Sequence, residues 1–123
     1  WLSAINKDYV TSGSGGHFFG QELSYDYGFT ATQKNGNIAG TKWRGFNDPV
    51  ARAYGFGYDK ANRLLKADFN QQVGTSATWD RSANYDFSVT MGDGINPATA
   101  YDANGNIRKM VQSGRKGTTS PVI

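Results

Sequence analysis

Carboxylates stand directly after phenols at four places in this chain: Tyr25-Asp26, Tyr58-Asp59, Tyr85-Asp86 and Tyr101-Asp102. A phenol and a carboxylate that shared a proton would make a general acid–base pair. Strand geometry opposes that use. Consecutive residues of an extended strand point to opposite faces, so neither pair member can converge with the other on one substrate. The same residues fit a structural role better. A Tyr packs across a sheet against its cross-strand neighbours. An Asp at the mouth of a turn accepts hydrogen bonds from the backbone of that turn.

Other chemistry fails on residue type or spacing. Asp102-Ala103-Asn104-Gly105-Asn106 begins like a calcium loop, but Ile107 and Ser113 occupy the positions where an EF-hand needs Gly and Glu. Asp93 and Asn96 could join a loop cation site, with ordinary loop chemistry as the favoured reading. His17 is the one histidine and there is no cysteine, which excludes disulfides, thiolate metal sites and a His-dependent metal cluster within the chain. Ser14 lies in the flexible stretch TSGSGG (residues 11–16) with no oriented base, and Gly13–Gly16 lacks the lysine and helix start of a phosphate loop. Arg108, Lys109, Arg115 and Lys116 cluster, but no aromatic residue follows Tyr101, so a solvated edge is expected rather than a nucleic-acid stripe. Trp43 and Trp79 are the candidates for sugar stacking if exposed, and for sheet packing if buried. No catalytic residue, metal or cofactor is expected.

The elements that would position these residues are strands. The chain has 123 residues, 37% of them hydrophobic and 14% aromatic, with 16 Gly, 3 Pro and a net charge of +3. Many aromatics with many glycines suit short strands and tight turns, and the aromatics exclude a disordered composition. No stretch approaches the length of a membrane span, and no signal-peptide pattern opens the chain. Leu23, Tyr25, Tyr27 and Phe29 alternate with small or polar residues, as do Tyr54, Phe56 and Tyr58 with Gly55, Gly57 and Asp59. Residues 59–69 have a weak helical look that this alternation and Asn62 oppose. Residues 92–100 read as a second loop.

Turn signals punctuate the strands. Asn35-Gly36 and Asn104-Gly105 are strong hairpin dipeptides. YDKANRLLKA (58–67) lies without a gap over YDANGNIRKM (101–110), placing Asn62 on Gly105 and Leu64 on Ile107. TQKNGNIAGT (32–41) fits the same frame with Gly36 at the turn and Ile38 after it. The turn residues are therefore Gly36, Asn62 and Gly105. The strand residues flanking them are Tyr58, Asp59 and Leu64 in one copy and Tyr101, Asp102 and Ile107 in another. The interval between the second and third turns has room for an extra strand pair around Trp79–Val89.

These residues resemble the YD repeats of Rhs-type bacterial proteins, with the Asn-Gly-Asn-Ile version similar to the form common in Bacteroidota. The matching pieces are YGFGYDKANRLLKA (54–67), ATAYDANGNIRKM (98–110), LSYDYGFTATQKNGNIAGTKW (23–43) and the opening WLSAIN. The resemblance implies an all-β fold: consecutive antiparallel hairpins in a twisted sheet, forming part of the wall of a hollow shell that encloses or presents another domain. Residues 1–112 would hold three to four such units, and 113–123 would be a tail continuing into further sequence. The family's autocleavage segment has no match, since Asp48-Pro49 lacks its context, so the chain is expected to be an internal segment of a larger secreted or cell-surface protein. Its expected partners are the rest of the parent polypeptide or another protein, through open strand edges, and carbohydrate is the alternative. Capture as a partner or substrate of a secretion assembly is a further alternative. Nucleic acid and a membrane span are not expected.

Overall fold

The computed structural model describes residues 1–25, 35–47, 50–72, 78–81, 86–116 and 120–122. The described residues form an eight-stranded antiparallel sheet in the order β1-β2-β3-β4-β5-β7-β8, with β6 also paired to β5, and a separate two-stranded sheet of β9 and β10. The strands are β1 (Ala4–Ile5), β2 (Phe19–Ser24), β3 (Gly40–Gly45), β4 (Arg52–Tyr58), β5 (Leu64–Gln72), β6 (Trp79–Asp80), β7 (Val89–Met91), β8 (Met110–Gln112), β9 (Gly114–Lys116) and β10 (Ser120–Val122). Two short helices interrupt them, α1 (Lys7–Ser12) and α2 (Pro97–Ala100). No helix among the described residues is long and apolar enough to cross a membrane. The chain divides into two compact units, residues 1–55 with 70–80 and residues 56–69 with 81–123.

In the first unit β2 pairs along its whole length with β3, from Phe19 opposite Gly45 to Ser24 opposite Gly40. Its buried face carries Gly20, Glu22 and Ser24. The large residues of the alternating pattern, Leu23 and Tyr25, sit on the half-buried side, and Tyr27 and Phe29 lie outside the described residues. Glu22 is buried and paired with Lys7 at 3.3 Å and Lys42 at 4.0 Å. Gly20 is small because α1 lies on it: a Cβ there would come within 2.6 Å of Val10 Cγ2 and 2.9 Å of the Asn6 carbonyl. Helix α1 corrects the reading of 11–16 as flexible loop, since Thr11 and Ser12 complete it. Asn6 enters with φ of 50°. Gly13 ends the helix in the left-handed region with φ of 76°, its N–H donating to Tyr9 O at 2.9 Å. Tyr9 and Val10 are buried, and Tyr9 donates its hydroxyl to Gly45 O at 3.1 Å.

In the second unit Leu65, Met91 and Ala100 form the core, with Val89 and Tyr101 packed against them. Phe69 is buried edge-on against Phe87 at 5.3 Å. Its N–H donates to Ser88 Oγ at 2.9 Å, which satisfies a buried hydroxyl. Residues 64–72 are strand, so the helical look of 59–69 is overridden by sheet pairing. Three expectations are revised. β6 and β7 do not pair with each other: each pairs with β5, Gln72 facing Trp79 and Lys66 facing Thr90. Residues 97–100 are helix rather than loop, because Asn96 accepts at its side chain from Ala98 N–H and Pro97 opens the turn with a fixed φ. Residues 113–123, expected as a tail, hold the short strands β9 and β10, with Gly114 opposite Val122. A Cβ at Gly57 would stand 3.0 Å from the Lys66 side chain.

Candidate functional site

One turn is built twice in the second unit, and it organises most of the residues singled out by the sequence. In residues 59–63, Asp59 Oδ1 accepts from the N–H of Ala61 at 2.8 Å and of Arg63 at 2.9 Å. Its Oδ2 accepts from Arg63 Nε at 2.7 Å. The main chain closes the loop, Asp59 N–H donating to Arg63 O and Asn62 N–H to Asp59 O. Residues 102–106 repeat every bond. Asp102 Oδ1 accepts from the N–H of Asn104 and Asn106, each at 2.9 Å, and Oδ2 accepts from Asn106 Nδ2 at 2.9 Å. Asp102 N–H donates to Asn106 O and Gly105 N–H to Asp102 O. The fourth residue of each turn lies in the left-handed region, Asn62 with φ of 63° and Gly105 with φ of 85°. Those are the residue types that tolerate it.

The carboxylates are thereby committed to structure. Asp59 is desolvated, which alone would raise its pKa. The Arg63 backbone and side-chain donors, with the Ala61 amide, outweigh this and hold it below the usual range. Asp102 is held low mainly by the Asn106 side chain and amide, with Asn104 and the Arg108 charge assisting. Burial pushes the Tyr58 phenol up. Held below the usual range, the Asp59 and Asp102 carboxylates are poor proton acceptors at neutral pH.

The two turns also touch. Tyr101 donates its hydroxyl to Leu64 O at 2.5 Å, and the Arg63 guanidinium lies 4.7 Å above the Tyr101 ring. Leu64 opens β5, whereas Ile107 is exposed and bridges back to Tyr101. Beside the Asp59 turn runs an open groove of about 450 Å³ lined by Tyr58, Lys60, Leu65, Ile95 and Pro97 among others. It holds no free carboxylate, since Asp59 is occupied.

The first frame differs. Gly36 has φ of 95°, but the bond here is from Asn37 N–H to Asn35 Oδ1 at 3.1 Å, and Ile38 is half-buried. Asp26, Tyr85 and the Asp48-Pro49 step lie outside the described residues. Tyr25 donates its hydroxyl to Leu2 O and its ring meets Trp1 at 5.0 Å. Asp86 Oδ1 accepts from Ser88 N–H at 2.9 Å, another self-closed turn. Trp43 is half-buried with its ring stacked on Tyr54 at 5.6 Å, and Trp79 is half-buried on β6. His17 is exposed, edge-on to Tyr9 at 6.2 Å.

Asp93 is a third carboxylate that collects two N–H groups of its own turn. Its Oδ1 accepts from the N–H of Ile95 at 2.8 Å and Asn96 at 2.7 Å, and these hold its pKa low. Asn96 Oδ1 is engaged by Ala98 N–H. The loop oxygens considered for a cation thus serve the backbone, and among the described residues no group of three His, Asp or Glu could hold a metal. Sequence reasoning missed Arg63 and Asn106 as second partners of the turn carboxylates. Their common position, four residues after the Asp, was the available signal.

Fold and turns together define an all-β chain of antiparallel strands whose recurrent corners are closed by aspartate. No family model, curated protein or solved structure matches the chain.

Proposed function

We propose that this chain is a structural hairpin-repeat segment without catalysis of its own, part of the wall of a larger secreted or cell-surface protein of the Rhs type. The observation that carries this reading is the same aspartate-closed turn at 59–63 and 102–106, bond for bond. Repetition of a corner is what a sheet that grows by hairpins requires, because one hairpin alone is marginal in water. Asp59, Asp86 and Asp102, the described carboxylates of the Tyr-Asp pairs, are used to hold backbone. Among the described residues the sheet ends on β1 and β8, where Ile5 and Met110 are exposed. Such edges suit pairing with the rest of the parent polypeptide or another protein. A carbohydrate-binding role has less behind it, since Trp43 spends a ring face on Tyr54.

The repeat reading is tested by transplanting one corner onto the other. Ala103→Lys, Asn104→Ala, Gly105→Asn and Asn106→Arg together write the 59–63 sequence into 102–106. An interchangeable corner leaves cooperative unfolding intact, with stability changed by about 1 kcal/mol or less, the scale of a single hydrogen bond. Loss of the cooperative transition would sink the proposal. Titration with glycans, followed by tryptophan fluorescence, is expected to show no saturable change.

A further inference from the structure

We infer that Asn35 is a site of selective, uncatalysed modification, converting through a cyclic imide to aspartyl and isoaspartyl forms, while the same dipeptide at Asn104 is protected. The chain carries Asn-Gly at 35–36 and at 104–105. In this reaction the glycine backbone nitrogen loses its proton to solvent base and attacks the asparagine Cγ. The N–Cγ bond forms and the Cγ–Nδ2 bond breaks. The side-chain nitrogen leaves as ammonia after taking a proton from water. Water then adds to one of the two imide carbonyls, so that one opening restores the normal backbone as Asp and the other routes it through the side chain as isoaspartate. Nothing is oxidised or reduced, and water is the co-reactant.

The two steps are held in opposite ways. At Asn35, which is exposed, the Asn37 N–H donates to Oδ1 at 3.1 Å. That donor polarises the carbonyl and sits where negative charge develops as the tetrahedral adduct forms, the task of an oxyanion-hole donor. Among the described residues the Gly36 N–H donates to no acceptor. Among the described residues the nucleophile is not tied to an acceptor, and the electrophile is activated.

At Asn104 both features are reversed. The Gly105 N–H is tied to Asp102 O at 3.1 Å, so the turn must open before that nitrogen can lose its proton. The Asn106 N–H, which would be the oxyanion donor, is diverted to Asp102 Oδ1 at 2.9 Å. The Asp102 carboxylate beside this step also disfavours a second negative charge, as one anion does to another nearby. The closed turn that repeats through the second unit is therefore a shield for its own Asn-Gly step. The first frame has Asn-Gly without that aspartate and lacks the shield. Conversion at Asn35 would lower the net charge by one, and the isoaspartyl form would lengthen the backbone between β2 and β3.

The whole chain is incubated in mildly alkaline buffer, in native conditions and in denaturant, and both sites are followed by peptide mapping with mass spectrometry. The denatured sample gives the intrinsic rate of each step. Relative to it, Asn35 is expected to convert about tenfold faster than Asn104 in the native chain, which corresponds to about 1.4 kcal/mol of barrier. Asp102→Ala is expected to raise the Asn104 rate and leave that of Asn35 unchanged. Equal normalised rates at the two sites, faster conversion at Asn104, or an unchanged Asn104 rate in Asp102→Ala would each overturn the inference.

Discussion

At the scale of single residues, an aspartate in this chain is a backbone acceptor before it is a charge. Asp59, Asp93 and Asp102 each collect two N–H groups of their own turn on one oxygen. Their surroundings differ. The Asp59 side chain is 2% exposed and paired with Arg63, whereas the Asp102 turn is more open to water. Water can replace a lost acceptor at 102 but not at 59. Asp59→Ala is therefore expected to lower Tm more than Asp102→Ala. Gly105→Val should also exceed Asp102→Ala, because a β-branched residue at φ of 85° is strained by about 1–3 kcal/mol although no atom stands within 4 Å of its Cβ. Thermal unfolding of the three variants checks the order, and equal stability of Gly105→Val and Asp102→Ala would remove Gly105 from the turn.

At the scale of elements, close approach decides where glycine is needed. Gly20 lies on β2 beneath α1, and Gly45 lies on β3 with nothing within 4 Å of its Cβ position. Gly20→Ala drives a methyl into Val10 and the Asn6 carbonyl and should cost about 1–3 kcal/mol. Gly45→Ala should change stability by no more than about 0.5 kcal/mol. Chemical denaturation of the pair reads the difference, and a neutral Gly20→Ala would mean that α1 does not rest there. These elements also mark what the sequence discloses. Corners at 36, 62 and 105 are visible because glycine and asparagine advertise positive φ. The strands at 52–58 and 64–72 follow from alternation and from the turn between them. Helix α1 is hidden because its signals are tertiary: a left-handed Asn6 and a glycine stop inside a Gly-Ser run look like a loop until Gly20 gives Val10 a place to pack. The pairing of β9 with β10 has no alternation to announce it. Arg63 and Asn106 escape notice because each acts through a carboxylate four residues back, a distance that only the folded turn makes short.

At the scale of the whole molecule, the distribution of these carboxylates makes the two compact units respond differently to acid. Asp59, Asp93 and Asp102 all belong to the second unit, 56–69 with 81–123. Each has its pKa lowered in the folded chain, by hydrogen bonds that outweigh desolvation at Asp59 and by backbone and side-chain donors at the other two. The sign follows from linkage. An unfolded Asp titrates near about 3.9, so above that value both states are ionised and the stabilisation is fully present. As pH falls below it, the unfolded chain takes up protons first and the advantage shrinks, until it is gone once the folded carboxylates are themselves protonated. Stability conferred by these turns should therefore be flat through neutral pH and fall below about pH 4. Most of the donors are backbone amides, so added salt should screen little of the effect at Asp93 and Asp102. Hydrogen exchange followed through an acid titration resolves the two units. Amides at 61, 63, 95, 96, 104 and 106 should lose protection before those of the β2–β3 ladder, in which no closed aspartate turn occurs among the described residues. Simultaneous loss at those turn amides and across the β2–β3 ladder would show that the turn carboxylates do not set the acid limit of this fold.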